Sequence, residues 1–305
     1  MSALYYKFSE YFRQLGYGSR VQKISVNAGF SCPNRDGRIS DAGCIFCNNE
    51  GFSPSASKRA LTVAGQISGS MEFLKKRYKT DKFVVYFQPF TNTYAPLPRL
   101  KEAYDSIISF KEVVGISIGT RPDCVDKDII ELINSYTDKY DVWIEYGLQS
   151  IHDPTLEKIN RGHKYKDFLN AVGLTRSCPK IKICAHAILG LPDETGAMMF
   201  ETAREMAKLK IDGIKLHPLH VVKGTELEKA CAAGGTTLLT IEEYAELASG
   251  FLQRLWPKTV IQRVTADCPK NLLVGPSWIN EKSRVLSMID ECLKKDNACQ
   301  GKLFE

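Results

Sequence analysis

Three cysteines carry the strongest chemical signal in this 305-residue sequence. They lie in Gly29-Phe30-Ser31-Cys32-Pro33-Asn34-Arg35-Asp36-Gly37-Arg38 and, a few residues on, Gly43-Cys44-Ile45-Phe46-Cys47, with the spacing C-x11-C-x2-C. Cys44 and Cys47 alone share their spacing with zinc sites, iron–sulfur sites and redox dithiols. A closed zinc site takes four ligands, and neither His152 nor His163 is close in sequence. Three thiolates suit a [4Fe–4S] cluster with one iron left open to a small-molecule chelate. Zinc, a dithiol and plain buried thiols stay open as alternatives. Gly29, Gly37 and Gly43 flank the triplet and let the backbone wrap closely around a ligand. The other cysteines lack a ligand-like motif: Cys178/Cys184 and Cys292/Cys299 are loose pairs, and Cys124, Cys231 and Cys268 are isolated. Such thiols are ordinarily buried and structural. Cys268, in Thr265-Ala266-Asp267-Cys268-Pro269, is the catalytic candidate among them because it falls near the expected open end of the fold.

The elements that must position these residues are short β-rich runs separated by longer polar-periodic stretches. The runs are Lys23–Ala28, Phe83–Gln88, Val113–Ile118, Val142–Leu148, Ile181–Leu189 and Gly213–Leu219, with Thr259–Val264 as a seventh candidate. Their regular recurrence after the first predicts βα units and a parallel sheet. Helices are expected over Arg99–Phe110, Asp126–Tyr136, Pro154–Asn160, Thr195–Lys210 and Asn280–Lys295. Thr240 and Glu243 form a capping box ahead of another, which Trp256-Pro257 ends. The wide gap from Ala28 to Phe83 must hold a long loop and a helix. Such an array makes an open doubly wound sheet or a full or partial barrel, and either places function at the C-terminal ends of the strands. The cysteine loop leaves the first strand at that end.

Composition sets limits. With 44% hydrophobic and 25% charged residues the chain is globular and not mainly disordered. An excess of 41 Lys and Arg over 35 Asp and Glu permits an anionic partner without demanding one. No signal peptide is apparent, and the longest uncharged stretch, Phe83 to Pro98, contains Gln88, Asn92 and three prolines, so no membrane span is expected. A cytoplasmic location, with thiols reduced or bound to metal, follows as the expectation.

Several stretches resemble the radical S-adenosylmethionine (SAM) superfamily, and within it the YhcC/YtqA-like family, relatives of the radical SAM domain of the Elongator catalytic subunit. They are Val26–Gly37, Gly115–Asp123, Glu145–Ser150, Asn160–His163 and Gln262-Arg263. The long first gap of the cysteine motif differs from the common C-x3-C-x2-C and is similar to this branch. The resemblance implies a partial (β/α)6 TIM-like barrel with a C-terminal extension: residues 1–22 an aromatic and basic extension, 23–220 the core, 221–305 the part packed on the barrel. It implies Cys32, Cys44 and Cys47 as ligands of a [4Fe–4S] cluster. SAM would chelate the open iron and be cleaved to methionine and a 5′-deoxyadenosyl radical, which abstracts hydrogen from a substrate. Gln88, Thr91 and Asn92 would accept from the SAM ammonium. Thr120 and Arg121 would face its carboxylate, Glu145 and Gln149 its ribose, and Phe46, Ile188 and Gly190 its adenine. His186, His217 and His220 are candidates to face the cavity.

The same resemblance points to the wobble uridine of tRNA as substrate and to an electron donor such as flavodoxin or ferredoxin. Interleaved aromatics and cations near the N-terminus, Tyr5, Tyr6, Lys7, Phe8, Tyr11, Phe12, Arg13, Tyr17, Arg20 and Lys23, are able to stack bases and meet phosphates, or to form an amphipathic helix packed on the barrel. Arg35, Arg38, Lys58 and Arg59 add charge by the cysteine loop. A radical SAM enzyme acting on a small metabolite or peptide, and a non-catalytic zinc or Fe–S protein, are the competing readings.

Overall fold

The computed structural model describes residues 4–17, 20–48 and 61–305. Its strands are β1 (Val21–Val26), β2 (Lys82–Phe87), β3 (Val113–Thr120), β4 (Asp141–Gln149), β5 (Lys182–Leu189), β6 (Gly213–Pro218), β7 (Val221–Val222), β8 (Val260–Arg263) and β9 (Leu273–Gly275). Seven of them pair in parallel in the order β1-β2-β3-β4-β5-β6-β8, while β7 and β9 form a small antiparallel ribbon. The helices are α1 (Phe8–Gln14), α2 (Val63–Tyr78), α3 (Leu97–Asp105), α4 (Lys127–Asn134), α5 (Asp153–Lys158), α6 (Tyr165–Arg176), α7 (Gly196–Lys208), α8 (Glu226–Ala232), α9 (Ile241–Arg254) and α10 (Lys282–Lys295). This is the expected α/β partial barrel. The seventh candidate run joins the sheet as β8.

Strand alternation divides the molecule. On β4, Val142, Ile144, Tyr146 and Leu148 belong to the main core beneath the helices, whereas Trp143 packs in a separate cluster with Val84, Cys184 and Val260 from other strands. Asp141, Trp143, Glu145, Gly147 and Gln149 therefore share the concave face of the sheet.

The N-terminal segment closes one end of that concave face. Tyr11 and Phe12 of α1 join the Trp143 cluster, with the Phe8 and Tyr11 rings set edge-on to Trp143 at 5.9 and 5.4 Å. The Tyr11 hydroxyl and the Trp143 indole N–H both donate to Asp141, each at 2.6 Å. Ahead of α1, Lys7 bridges to Ile261 along β8, and the Ile261 N–H donates to the Tyr6 carbonyl at 2.7 Å. The aromatic run thus forms a floor and covers a sheet edge. Tyr5, Tyr11 and Phe12 are buried, so the base-stacking reading of these residues gives way to the packed-helix reading. Lys58 and Arg59 lie outside the described residues.

Thr240 and Glu243 make the capping box that starts α9, whose stripe packs against α7 and α10. Three helices were not legible from periodicity. Gly65, Ser68, Gly69 and Ser70 interrupt α2, Gly173 interrupts α6, and α8 is only two turns long. Among the described residues no helix is long and apolar enough to cross a membrane.

Candidate functional site

Cys32, Cys44 and Cys47 line one cavity of about 160 Å³ at the C-terminal ends of the strands. The loop is held by the turn after α5. Asn34 Nδ2 donates to the Asn160 carbonyl at 2.7 Å, Asn160 Nδ2 donates to the Gly43 carbonyl at 2.6 Å, and the Ile45 N–H donates to the Ile159 carbonyl at 3.1 Å. Arg161 is the junction. Its Nε and Nη2 donate to the Gly147 carbonyl at 3.2 and 2.6 Å, and its Nη1 reaches Cys44 Sγ at 3.5 Å. Gly147 admits this guanidinium because a Cβ there would lie 2.5 Å from Arg161 Nη2. Gly162, with φ +70°, likewise leaves room for Asn34, whose Oδ1 would be 2.7 Å from an added Cβ. Asn34 Nδ2 stands 3.7 Å from Cys44 Sγ. Burial and the neighbouring Cys44 push the Cys47 thiol up to about 11 against the pull of Arg35, so loading iron onto it must release a proton.

The donor set fits a cluster better than a single ion. Around one zinc, Zn–S bonds of about 2.3 Å draw the sulfurs together. Among the described residues, the one group of three or more ligand atoms gathered within 4.8 Å of one another is Glu145, Cys184 and His186, not the cysteine triplet. The three thiols share one cavity without all lying that close together, which is compatible with the corners of a multi-iron cluster. The Glu145 group is itself a poor cation site, because Glu145 already accepts from the ammonium groups of Lys23 and Lys215.

A second cavity of about 410 Å³ fills the concave face above Trp143. Tyr86, Gln88, Gln149 and His186 line both cavities and so separate the cysteine site from the chamber. Glu145 lies at this divide, fully buried. It accepts from Lys23 Nζ at 2.8 Å, from Lys215 Nζ, and from His186 Nε2 at 2.8 Å. Burial alone would raise its pKa, but Lys215, Lys23 and His186 together hold it well below the usual carboxylate range. Burial lowers His186 to about 4 despite its bond to Glu145, and lowers Lys215 to about 8 against the same carboxylate. Burial, Arg263 and His186 keep His217 well below its usual value. All three candidate histidines, His186, His217 and His220, line the chamber.

The other expected residues divide. Gln88, Thr91, Thr120, Arg121, Glu145 and Gln149 reach the cysteine cavity, and Phe46 and Ile188 line the chamber. Gln149 does so with φ 75°, at a register break in β4. Arg121 is less available than expected, since Nε and Nη2 engage Asp123 at 2.9 and 2.7 Å and Nη1 donates to the Arg161 carbonyl. Asn92 is not at the cavity. It is buried, and its Nδ2 donates to the carbonyls of Phe87, Pro89 and Gly119, tying the end of β2 to β3. Gly190 meets Leu239 and lines neither cavity. Cys268 is buried in the main core, where Asn280 brackets its backbone, and it does not line the chamber. Sequence reasoning missed Arg161, Lys23, Lys215 and Tyr86 as site residues. Lys215 had a readable signal, a charge inside an otherwise apolar strand, which is the signal that marked Glu145.

Comparison with known proteins agrees with this architecture. The model of the radical SAM superfamily matches residues 32–206, and that of the Radical_SAM C-terminal domain matches 211–295. Protein MJ0486 of Methanocaldococcus jannaschii is 39% identical over 308 residues, covering 98% of this chain and 93% of its own. YtqA of Bacillus subtilis is 37% identical over 289 residues, covering 95% and 89%. The tRNA uridine(34) acetyltransferase of M. jannaschii is 30% identical over 166 residues, 53% of this chain and 30% of its own. Among solved structures, Elp3 of Methanocaldococcus infernus superposes with TM-score 0.71 at 20% identity, over 92% of this chain; the chain spans 64% of that one. Members of the matched superfamily use a [4Fe–4S] cluster and SAM, and the cysteine cavity beside a chamber of about 410 Å³ suits both. The chain belongs to the radical SAM superfamily, alongside YtqA and YhcC and at greater distance from Elongator protein 3.

Proposed function

We propose that this radical SAM enzyme modifies tRNA at the side chain of a wobble uridine. Cys32, Cys44 and Cys47 hold the cluster, and Arg161 and Asn34 direct N–H groups at the Cys44 sulfur, which stabilises the thiolate. When bound, the cluster and SAM supply a 5′-deoxyadenosyl radical that takes a hydrogen atom from the substrate. The chain's own residues orient and enclose. Gln88 and Thr91 offer acceptors for an ammonium, Thr120 and Arg121 face the carboxylate side, and Gln149 serves the ribose. Glu145 serves the ribose only through its remaining lone pairs, since two lysines and His186 occupy it. Phe46 and Ile188 provide apolar cover for the adenine. The floor of Phe8, Tyr11 and Trp143 leaves the C-terminal side of the sheet as the entry and keeps water from the far end.

The observation that carries the reading is the wall of Tyr86, Gln88, Gln149 and His186 shared by the two cavities, which supports reading the larger one as the substrate chamber. The tRNA substrate is supported by the relative named for uridine 34 of tRNA, and the charge excess of six is compatible with it. A flavodoxin- or ferredoxin-type electron donor and a cytoplasmic location complete the proposal. A small metabolite is the second reading, favoured by the chamber's volume of about 410 Å³, which suits a small ligand. Nucleoside mass spectrometry of tRNA from a deletion strain separates the two. A changed wobble-uridine profile is expected; an unchanged profile under both aerobic and anaerobic growth leaves the small-molecule reading.

A further inference from the structure

The chamber wall carries more positive than negative charge. Above Trp143, the described residues lining the chamber contribute Lys23, Lys215 and Arg263 against Asp267, and Glu145, which lines the cysteine cavity, meets both lysines at the divide. Asp267 is also shared with Lys282 on the outside. Glu145 is buried to 0% side-chain exposure and must serve two ammonium groups, of which Lys215 is 8% exposed and Lys23 is 21% exposed. One carboxylate therefore answers two largely desolvated cations. A buried charge without its counter-charge costs several kcal/mol, so such an excess persists where something else completes it. The histidines do not add to the count, because burial keeps His186, His217 and His220 below their usual values.

Hydrogen-bond donors are in surplus as well. Lys215 has Glu145 as its acceptor and rests against the face of Tyr86 at 3.9 Å from the ring centroid. Lys23 donates to Glu145 and, at 2.6 Å, to Gln262 Oε1. The Nε2 of Gln262, on the side of Gly213, is buried and has no acceptor. The cofactor site has a separate cation, Arg161, at Cys44, so the lysine pair is not needed there.

We propose that Lys215 and Lys23 form a subsite for an anionic oxygen group, carboxylate or phosphate, at the deep end of the substrate. The proposal rests on the chamber being where substrate meets the cofactors. Anchoring the anion beside Glu145 leaves the neighbouring carbon next to Tyr86, Gln88 and Gln149, the residues that border the cysteine cavity. The two lysines thus act as positioning residues and set specificity by charge. The anion belongs to a modified RNA side chain or to a free small acid.

Calorimetric titration of the anaerobically reconstituted full chain tests this, with malonate, inorganic phosphate and the neutral analogue malonamide as probes. Saturable binding of malonate or phosphate, and none of malonamide, is expected. Lys215→Met and Lys23→Met should each weaken anion binding at least tenfold, and Glu145→Gln should strengthen it, because the competing carboxylate is gone. Equal binding of malonamide, no saturable binding of either anion, indifference of both lysine variants, or weaker binding in Glu145→Gln would overturn the subsite. The malonamide comparison uses wild-type protein, so a misfolded variant does not spare the proposal. Adding tRNA from the deletion strain identifies the source: displacement of the probe assigns the anion to RNA, and retention assigns it to a small acid, the subsite standing in both cases. The nucleoside profile is read independently, so failure here and failure of the tRNA reading are distinct.

Discussion

Lowering the pH should unfold this protein through histidines held neutral in its interior. Burial brings His186 to about 4 and His163 to about 3, the latter with help from Arg161 and Arg121. A histidine depressed in the folded state binds a proton more readily in the unfolded chain, so stability is intact above about pH 6.5 and declines as pH falls toward the folded value. At pH 5 each group has cost about 1.36 kcal/mol for each unit below 6.5, or about 2 kcal/mol, and the pair about 4 kcal/mol; His217 and His220, also held below their usual values, add to the drop in the same window. Glu145 does not confound this window. Its depressed value contributes stability that begins to be lost only as pH falls to the unfolded carboxyl value of 4.5, and is gone only well below it. Urea unfolding of the reduced, cluster-free protein at pH 7 and pH 5 measures the effect. His186→Gln keeps a donor for Glu145 and should shrink the drop between the two pH values by about 2 kcal/mol. An equal drop in wild type and variant, or an NMR titration of His186 near 6.5, would refute a neutral, buried imidazole at the chamber wall.

Further predictions concern the floor and the cysteine loop. Phe12→Ala removes a buried ring from the Trp143 cluster and should cost about 3–5 kcal/mol in denaturant unfolding; a loss under 1 kcal/mol would mean that α1 is not a structural floor. Gly147→Ala drives a methyl into the Arg161 guanidinium and should lower iron retention at least severalfold while far-UV circular dichroism stays unchanged; full retention would remove Arg161 from the account of the cluster. Asn92→Ala leaves the Phe87, Pro89 and Gly119 carbonyls short of a donor and should destabilise the fold by about 1–3 kcal/mol, with little effect on SAM affinity. A large loss of SAM affinity at unchanged stability would restore the ligand role expected from the sequence.

The sheet was legible because parallel strands buried on both faces read as apolar runs, and β1 to β6 and β8 fall where those runs are. The weaker helices were less so: the gap before Phe83 called for the helix that is α2 but not for its bounds, and α6 went unread, because both depend on tertiary packing to offset their glycines. Within the site, the cysteine triplet announced itself by residue type and spacing. Asn92 misled because a polar residue after a strand serves either a ligand or the loose backbone carbonyls of the turn, and only the fold shows which. Cys268 misled for a similar reason: proximity in sequence to the open end says nothing of which way a side chain turns. Lys23, Lys215 and Glu145 come from β1, β6 and β4, and their meeting depends on how far the sheet curls. The aromatic N-terminus was equally suited to RNA or to packing, and Trp143, on a strand far along the chain, decided it.

The most direct test of the account is anaerobic reconstitution with iron and sulfide, followed by reduction in the presence of SAM. The account predicts four irons per chain in wild type, formation of 5′-deoxyadenosine, and loss of both in Cys44→Ala. Full iron content in Cys44→Ala, or stoichiometric zinc with no 5′-deoxyadenosine from wild type, would contradict it.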